Sequence, residues 1–343
     1  MTGIEIQPLT ADRAAEWDVW VRAHPEGTFF HLAGWREVIR RAFGHRDHYL
    51  LATQGGRIRG LLPLFQVRSL LFGHALISTP FCVYGGVLAE DAAVAEALEG
   101  AAVALAERLR VDYLELRNRQ PRHPDWPTKT LYVTFRKQLA DTVEANLKAV
   151  PRKQRAMIRK GMEAGLVAET DRDIDRFYAI YAASVRALGT PVFGRRYFRL
   201  LREVFGDDCG ILHAVHDGRP IASVMSFYFR DEVLPYYGGG LPEARRYKGY
   251  DFMYWALMRS ACEAGYRVFD YGRSKQGTGS YRFKKHWGFE PEPLYYEYHL
   301  VRAREMPDIS PANPKYERLI AIWKRLPLAV TRVIGPPLAR YLG

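Results

Sequence analysis

Cysteine is nearly absent from this chain: Cys82, Cys209 and Cys262 are the only three in 343 residues, odd in number and far apart. That scatter excludes a disulfide framework and a thiolate zinc site, and it fits a reducing compartment. Long apolar runs are missing too. No stretch of about 18 apolar residues offers a membrane-spanning helix, and the polar opening MTGIEIQPLTADRAAEW lacks the apolar core of a signal peptide. Acidic side chains are in deficit, 38 Asp and Glu against 50 Lys and Arg, leaving a net charge of +12. Such a field favours anionic partners, among them tRNA, nucleotide-linked sugars, lipid pyrophosphates and membrane surfaces, without choosing among them. These features suggest a cytoplasmic protein, soluble or peripheral to the inner face of the membrane, with no bound metal.

A hydrophobic content of 48% excludes general disorder, and the length suits two domains of about 150 residues. Read in order, Ile4–Ile6 alternates like a strand, and Thr10 or Asp12 can cap a helix running through Val21. A helix around 35–43 follows, then strands at 48–53, 57–67 and 76–88, an alanine-rich helix at 92–109 and a strand at 111–117. The second half repeats that order. A shift of 162 lays residues 28–57 on 190–219 with eight identities in thirty positions, where average composition predicts about two. The pairs are Thr28/Thr190, Arg40/Arg202, Phe43/Phe205, Gly44/Gly206, Leu50/Leu212, Ala52/Ala214, Gly56/Gly218 and Arg57/Arg219. Two copies of one α/β unit are expected, 1–140 and 141–305, followed by a tail at 306–343.

Between the copies, 141–165 is basic and helical, with Pro151 opening its second part. Arg152, Arg155 and Arg159 share a face there, which is either solvated or turned to a polyanion. In the second copy a helix is expected at 174–188, strands at 210–216, 220–229 and 233–239, a helix at 250–264 ended by Gly265, and a last strand at 294–300. The tail has Pro307, Pro311 and Pro314 ahead of two short basic amphipathic pieces, 316–326 and 328–334, with Gly335-Pro336-Pro337 expected to end helix formation. Those pieces either lie on an anionic membrane surface or dock back onto the protein.

Chemistry concentrates in FDYGRSKQGTGSYRFKKHWGFEP, residues 269–291. A short strand runs into Gly272, and Arg273, Lys275, Lys284 and Lys285 surround a glycine turn, an arrangement suited to phosphate or carboxylate. Asp270 falls at the carboxyl end of a central strand, where α/β sheets carry their sites, although Asp also caps loops. Tyr236 and Tyr237 either orient a donor or serve as core aromatics. His286 has the chemistry of a base, and beside Trp287 it also reads as packing.

The stretches KAVPRKQRAMIRKGMEAG and YYGGGLPEARRYKGYDFMYWALMRSACEAGYRVFDYGRSKQGTGSYRFKKHWGFEP resemble FemAB-like aminoacyltransferases within the Gcn5-related N-acetyltransferase (GNAT) superfamily. The likeness is greatest to the FemAB-like proteins of PEP-CTERM/exosortase and exopolysaccharide systems. It covers roughly 1–300 and implies tandem duplicated GNAT-like (acyl-CoA N-acyltransferase) domains with mixed sheets. It also implies acyl transfer to an amine, from aminoacyl-tRNA to a phosphate-bearing sugar or lipid-linked precursor, or from acyl-CoA, with no tightly bound cofactor. Asp270, Lys284 and Tyr237 are then the catalytic candidates. Arg273, Lys275, Tyr236, Tyr281, Arg246, Lys248, Gly249, Arg155 and Arg159 are the substrate-binding candidates, with tRNA among the partners. Where GNAT enzymes cradle the CoA pyrophosphate, this chain has Arg246-Tyr247-Lys248-Gly249-Tyr250-Asp251. A carboxylate from Asp251 is expected beside the anion there, which argues against acetyl-CoA. A non-catalytic envelope-assembly factor is the third alternative.

Overall fold

The computed structural model describes residues 3–69, 73–307 and 314–341; Pro311 of the expected connector lies outside them. The chain forms two compact units. The first is Met1–Tyr132 with Pro293–Ser310 and Arg340–Gly343, and the second is Val133–Glu292 with Pro311–Ala339.

In the first unit, the strands Glu5–Pro8, Leu50–Gln54, Arg57–Leu62 and Leu88–Ala89 form one sheet in that order. A second sheet runs Arg46–Asp47, Leu64–Ser69, Gly73–Ser78, Tyr113–Asn118, Tyr295–Leu300 and Thr128–Lys129. Helix Ala92–Leu109 has Asp91 as its N-cap, the side chain accepting from the Val94 N–H. It buries Val94, Leu98, Ala102, Leu105 and Ala106 against Leu62, Leu76 and Leu114, one apolar stripe closing one sheet face.

The second unit is organised by a single sheet in the order Val167–Asp171, Cys209–His216, Arg219–Phe229, Glu232–Gly240, Val268–Asp270, Tyr132–Gln138 and Ser274–Lys275. From Val167–Asp171 to Tyr132–Gln138 the ladders are antiparallel, apart from Glu232–Gly240 beside Val268–Asp270, which run parallel. Helix Gly249–Glu263 buries Phe252, Met253, Leu257, Met258 and Ala261 in the same core as Leu212, Val224, Val233 and Phe269. Helix Ile174–Leu188 lies on Glu232–Gly240, where a Cβ at Gly239 would come within 2.9 Å of Ser184. Glycine there permits the close approach.

Five of the eight repeated pairs hold equivalent places in both copies. Phe43 and Phe205 are the buried last residues of helices Gly34–Phe43 and Arg195–Phe205, and Gly44 and Gly206 follow them at φ 72° and 53°. Gly56 and Gly218 turn the two hairpins at φ 79° and 73°, the left-handed region that glycine enters without steric cost. Leu50 and Leu212, Ala52 and Ala214 are buried in their sheets.

Several expectations are corrected. The strand expected at 76–88 stops at Ser78, because Thr79 and Phe81 take positive φ of 38° and 71° and turn the chain out of the ladder. The last strand, Tyr295–Leu300, pairs with Tyr113–Asn118 of the first unit, and Tyr132–Gln138 joins the second unit's sheet. The units are therefore not the linear blocks 1–140, 141–305 and 306–343, since ladder pairing selects partners remote in sequence. Helix Ala14–Ala23 has Arg13 as N-cap, and Asp12 bonds Thr10 instead of capping it. The stretch 141–165 forms Val143–Ala149 and Arg152–Glu163, with Pro151 at the N-cap itself. Helix Leu328–Ala339 runs through Pro336 and Pro337, with Gly335 and Pro336 packed against Val192 and Gly194.

Two glycines offer opposite tests. Gly100 sits mid-helix with nothing within 4 Å of an added Cβ, so Gly100→Ala is expected to raise stability by about 0.8–1 kcal/mol. Gly206 holds φ 53° and ψ −123°, so Gly206→Ala is expected to lower it by about 1–3 kcal/mol. Urea titrations of both variants check the signs.

Candidate functional site

The site begins where two parallel strands part. Glu232 and Val233 pair with Val268 and Phe269, whereas Leu234 to Gly240 pair only with Arg219–Phe229 on the other side. Beyond Asp270 the Tyr271 N–H still donates to the Phe135 carbonyl at 2.8 Å, and the chain then turns at Gly272, φ 64°.

Asp270 is fully buried there. Its carboxylate accepts from the Gly272 N–H at 2.7 Å, the Thr134 hydroxyl at 3.1 Å and the Arg136 guanidinium at 3.4 Å. Arg136 also pairs with buried Glu232, so one guanidinium ties two carboxylates from neighbouring strands. The Gly272 contact, two residues ahead, is the loop-capping geometry that Asp favours.

Lys284 comes from helix Gly279–His286, whose N-cap Thr278 accepts from the Tyr281 N–H and donates to the Lys275 carbonyl at 2.7 Å. The Lys284 Nζ donates to the carbonyls of Tyr271 at 2.7 Å, Gly272 at 2.8 Å and Arg273 at 3.2 Å. All three ammonium protons are thereby engaged. The side chain is 8% exposed and lies over the rings of Phe135 and Tyr271. Burial pulls its pKa down to about 7, Asp270 opposing and Arg273 assisting. Lys284 thus clamps the loop that carries Arg273 and Lys275, both half-buried. Lys285 and His286 are exposed, and Tyr281 is half-buried with its ring edge against Phe135.

The other candidates are distributed around this centre. The Tyr237 hydroxyl meets that of Tyr197 at 2.7 Å within an aromatic cluster containing Tyr181, Phe193 and Phe198. Tyr236 is half-buried, its ring centroid 4.8 Å from that of Tyr237. Arg246 is exposed and stacks on Tyr247. Lys248 takes φ 59° as N-cap of the central helix, and Gly249 is packed so tightly that a Cβ would meet Ala244 at 3.2 Å. Helix Arg152–Glu163 packs on that helix through Gly161, 3.0 Å from the Phe252 Cβ if a Cβ were added. Arg155 donates to the Lys148 carbonyl at 2.6 Å, and Arg159 is exposed.

One inference is overturned. Asp251 does not present its carboxylate to an anion at the helix start, because Oδ1 accepts from the Trp287 indole N–H at 3.1 Å. Burial raises its pKa. The sequence reading also missed Thr134, Arg136 and Glu232, which come from strands more than 35 residues away from Asp270. The available signal was a glutamate opening the largely apolar strand Glu232–Gly240; Arg136, beside Lys137 and Gln138 in Tyr132–Gln138, gave none. In the first unit an open cleft lies on the sheet face bearing Ala75, Ile77, Tyr113, Glu115 and Tyr298, with Glu115 held by Arg117 at 2.8 Å. No candidate residue lies in that cleft.

Residues 147–285 match the acetyltransferase (GNAT) domain family, which includes the central helix, the splayed strands and Lys284. Among curated proteins none matches this chain. Of solved structures, FemX is similar over 92% of this chain and 100% of its own at 13% identity, with a TM-score of 0.67. A tandem GNAT protein from the clavulanic acid biosynthesis pathway is similar over 89% and 100% at 15% identity, TM-score 0.54. The C-terminal domain of a putative lysylphosphatidylglycerol synthetase from Agrobacterium fabrum is similar over 84% and 91% at 14% identity, TM-score 0.56. The chain has the duplicated, mixed-sheet fold of tandem GNAT proteins, and its residues 147–285 are an acyltransferase domain of the GNAT type.

Proposed function

We propose that the protein transfers an acyl or aminoacyl group from aminoacyl-tRNA to an amine of a cell-envelope or exopolysaccharide precursor. The observation that carries this reading is the cationic strand end, with buried Lys284 pinning the loop of Arg273 and Lys275. In this chemistry a neutral amine attacks the acyl carbonyl carbon, the carbonyl oxygen becomes an oxyanion, and its collapse expels the ribose hydroxyl as the nitrogen loses a proton. Arg273 and Lys275 hold phosphate, and Lys284 offsets the developing charge. Engaging the acyl oxygen exchanges the longest Lys284 contact, that to the Arg273 carbonyl at 3.2 Å. Asp270, its carboxylate occupied by three donors, holds strand and loop in register. Tyr236 and Tyr237 line the diverging strand.

The basic helix Arg152–Glu163, packed on the central helix, supports tRNA as donor. The likeness to a putative lysylphosphatidylglycerol synthetase domain supports a lipid-linked acceptor, with the protein cytoplasmic and peripheral to the inner membrane face. A second reading, acetyl-CoA as donor, is favoured by the attachment of Asp251 to Trp287, which engages one carboxylate oxygen away from a ligand while the charge still acts on Lys248. Purified protein incubated with charged total tRNA and nucleotide- or lipid-linked sugars should give an acceptor heavier by one aminoacyl residue. Product formed only with acetyl-CoA would install the second reading, and Asp251→Asn would then leave acetyl-CoA affinity nearly unchanged. No product with either donor would end both.

Lys284→Met is expected to lower turnover by about a hundredfold. It should also destabilise the protein, since buried carbonyls left without a donor cost about 1–3 kcal/mol each. Lys285→Met should alter neither. Between pH 7, where folded Lys284 releases its proton, and pH 10.5, where the unfolded lysine does, the unfolded chain binds more protons. Stability from this group therefore rises with pH across that window, by up to about 1.4 kcal/mol per pH unit. Urea titrations of wild type and Lys284→Met from pH 6 to 10, limits chosen around roughly this window, should show the wild type gaining on the variant. A constant difference would refute the lowered pKa.

A further inference from the structure

The apolar face of the C-terminal helices points the wrong way for a core. Helices Pro314–Arg325 and Leu328–Ala339 pack on helix Ile174–Leu188. Their inner sides bury Trp323, Thr331, Gly335 and Ala339. The Arg186 guanidinium donates to the Leu326 carbonyl at 3.0 Å, and Ile320 and Lys324 lie over Gly189. These contacts fix which side faces outward. That side carries Leu319 at 61% exposure and Ile322 at 58%, followed by Val330, Val333 and Ile334 at 39%, 72% and 39%, with Leu188 at 67% on the adjoining helix. Val330, Val333, Ile334 and exposed Pro337 recur at i, i+3, i+4 and i+7, the stripe that a helix ordinarily buries.

Charge identifies what would cover it. From Arg318 to the end of the chain there is no Asp or Glu; Arg318, Lys324 and Arg325 are exposed, while Arg332 lies over the Tyr178 ring and Arg340 donates to the Phe43 carbonyl. Arg318, Ile322 and Arg325 share one exposed line at i, i+4 and i+7. A second copy docked face to face would bring two such cationic sets together, which like-charge repulsion opposes. A sheet of anionic phosphate over an apolar layer satisfies both features, since interfacial helices bury an apolar stripe while flanking Lys and Arg reach the headgroups. We propose that this face, Leu188, Leu319, Ile322, Val330, Val333 and Ile334 ringed by Arg318, Lys324 and Arg325, docks on an anionic phospholipid bilayer without crossing it. Among the described residues no helix is long and apolar enough to cross a membrane. The proposal does not depend on which acyl donor is used.

Deleting 306–343 would also strip Trp323, Thr331 and Gly335 from the second unit, so surface substitutions are the sharper test. Full-length protein is sedimented with phosphatidylglycerol/phosphatidylcholine vesicles and with pure phosphatidylcholine vesicles. Leu319→Ser/Ile322→Ser/Val333→Ser and Arg318→Gln/Lys324→Gln/Arg325→Gln are run beside it, with thermal melts to verify folding. Wild type should bind only the anionic vesicles. The apolar variant should lose at least about tenfold, and the charge variant about fivefold per cation removed, with unchanged melting. No vesicle binding by wild type, or equal binding by a folded apolar variant, overturns the proposal. Dimerisation abolished by the apolar variant, without vesicle binding, would assign the face to a second copy and overturn it as well.

Discussion

Arg136 is the constraint on which the second unit depends. It stands between Glu232 and Asp270, and each carboxylate arrives on a different strand flanking the parting of the sheet. Buried charges of this kind tolerate little displacement, because withdrawing one partner leaves an uncompensated charge at a cost of about 3–5 kcal/mol. The ion cluster therefore fixes the register of Tyr132–Gln138 against Val268–Asp270, and that register sets where the chain exits at Gly272. Lys284 secures the exit from the opposite side by gathering three successive carbonyls. Asp270 and Lys284, fourteen residues apart across one glycine loop, thus act as its two ends.

The duplication is conserved as conformation more than as chemistry. Five of the eight pairs shared across the shift of 162 are helix terminators, hairpin glycines and buried apolar side chains. In the first unit, the sheet face opposite helix Ala92–Leu109 carries a buried Glu115–Arg117 pair and a tyrosine-lined cleft. One architecture thus holds two chemically different surfaces.

Asp251 shows how a motif can mislead when read as a string. Its place in the turn before the central helix suggested a carboxylate opposing an incoming phosphate. The helix phase instead turns it toward Trp287, and the indole N–H satisfies it. Asp251 thereby anchors the central helix to the segment that carries Lys284. The carboxylate argument against CoA weakens with it, although the charge still acts on Lys248.

The sequence by itself determined the elements and their order. Helices at 92–109 and 174–188, the strand at 220–229, the Gly265 stop and the repeat were legible because each rests on local periodicity or on glycine φ preference. It also identified the 269–291 segment, where cations and aromatics interleave too densely for plain surface. Only the tertiary structure decided that Tyr295–Leu300 returns to the first unit, since ladder partners are chosen by backbone pairing between remote segments. The same holds for Arg136 and Glu232, charges on two strands remote in sequence whose meaning appears when a third strand brings Asp270 beside them. It holds as well for the C-terminal helices, whose amphipathicity was plain in the sequence. Which side faces solvent depends on the groove beside Gly189 and Val192 that receives them, a contact that no local pattern encodes.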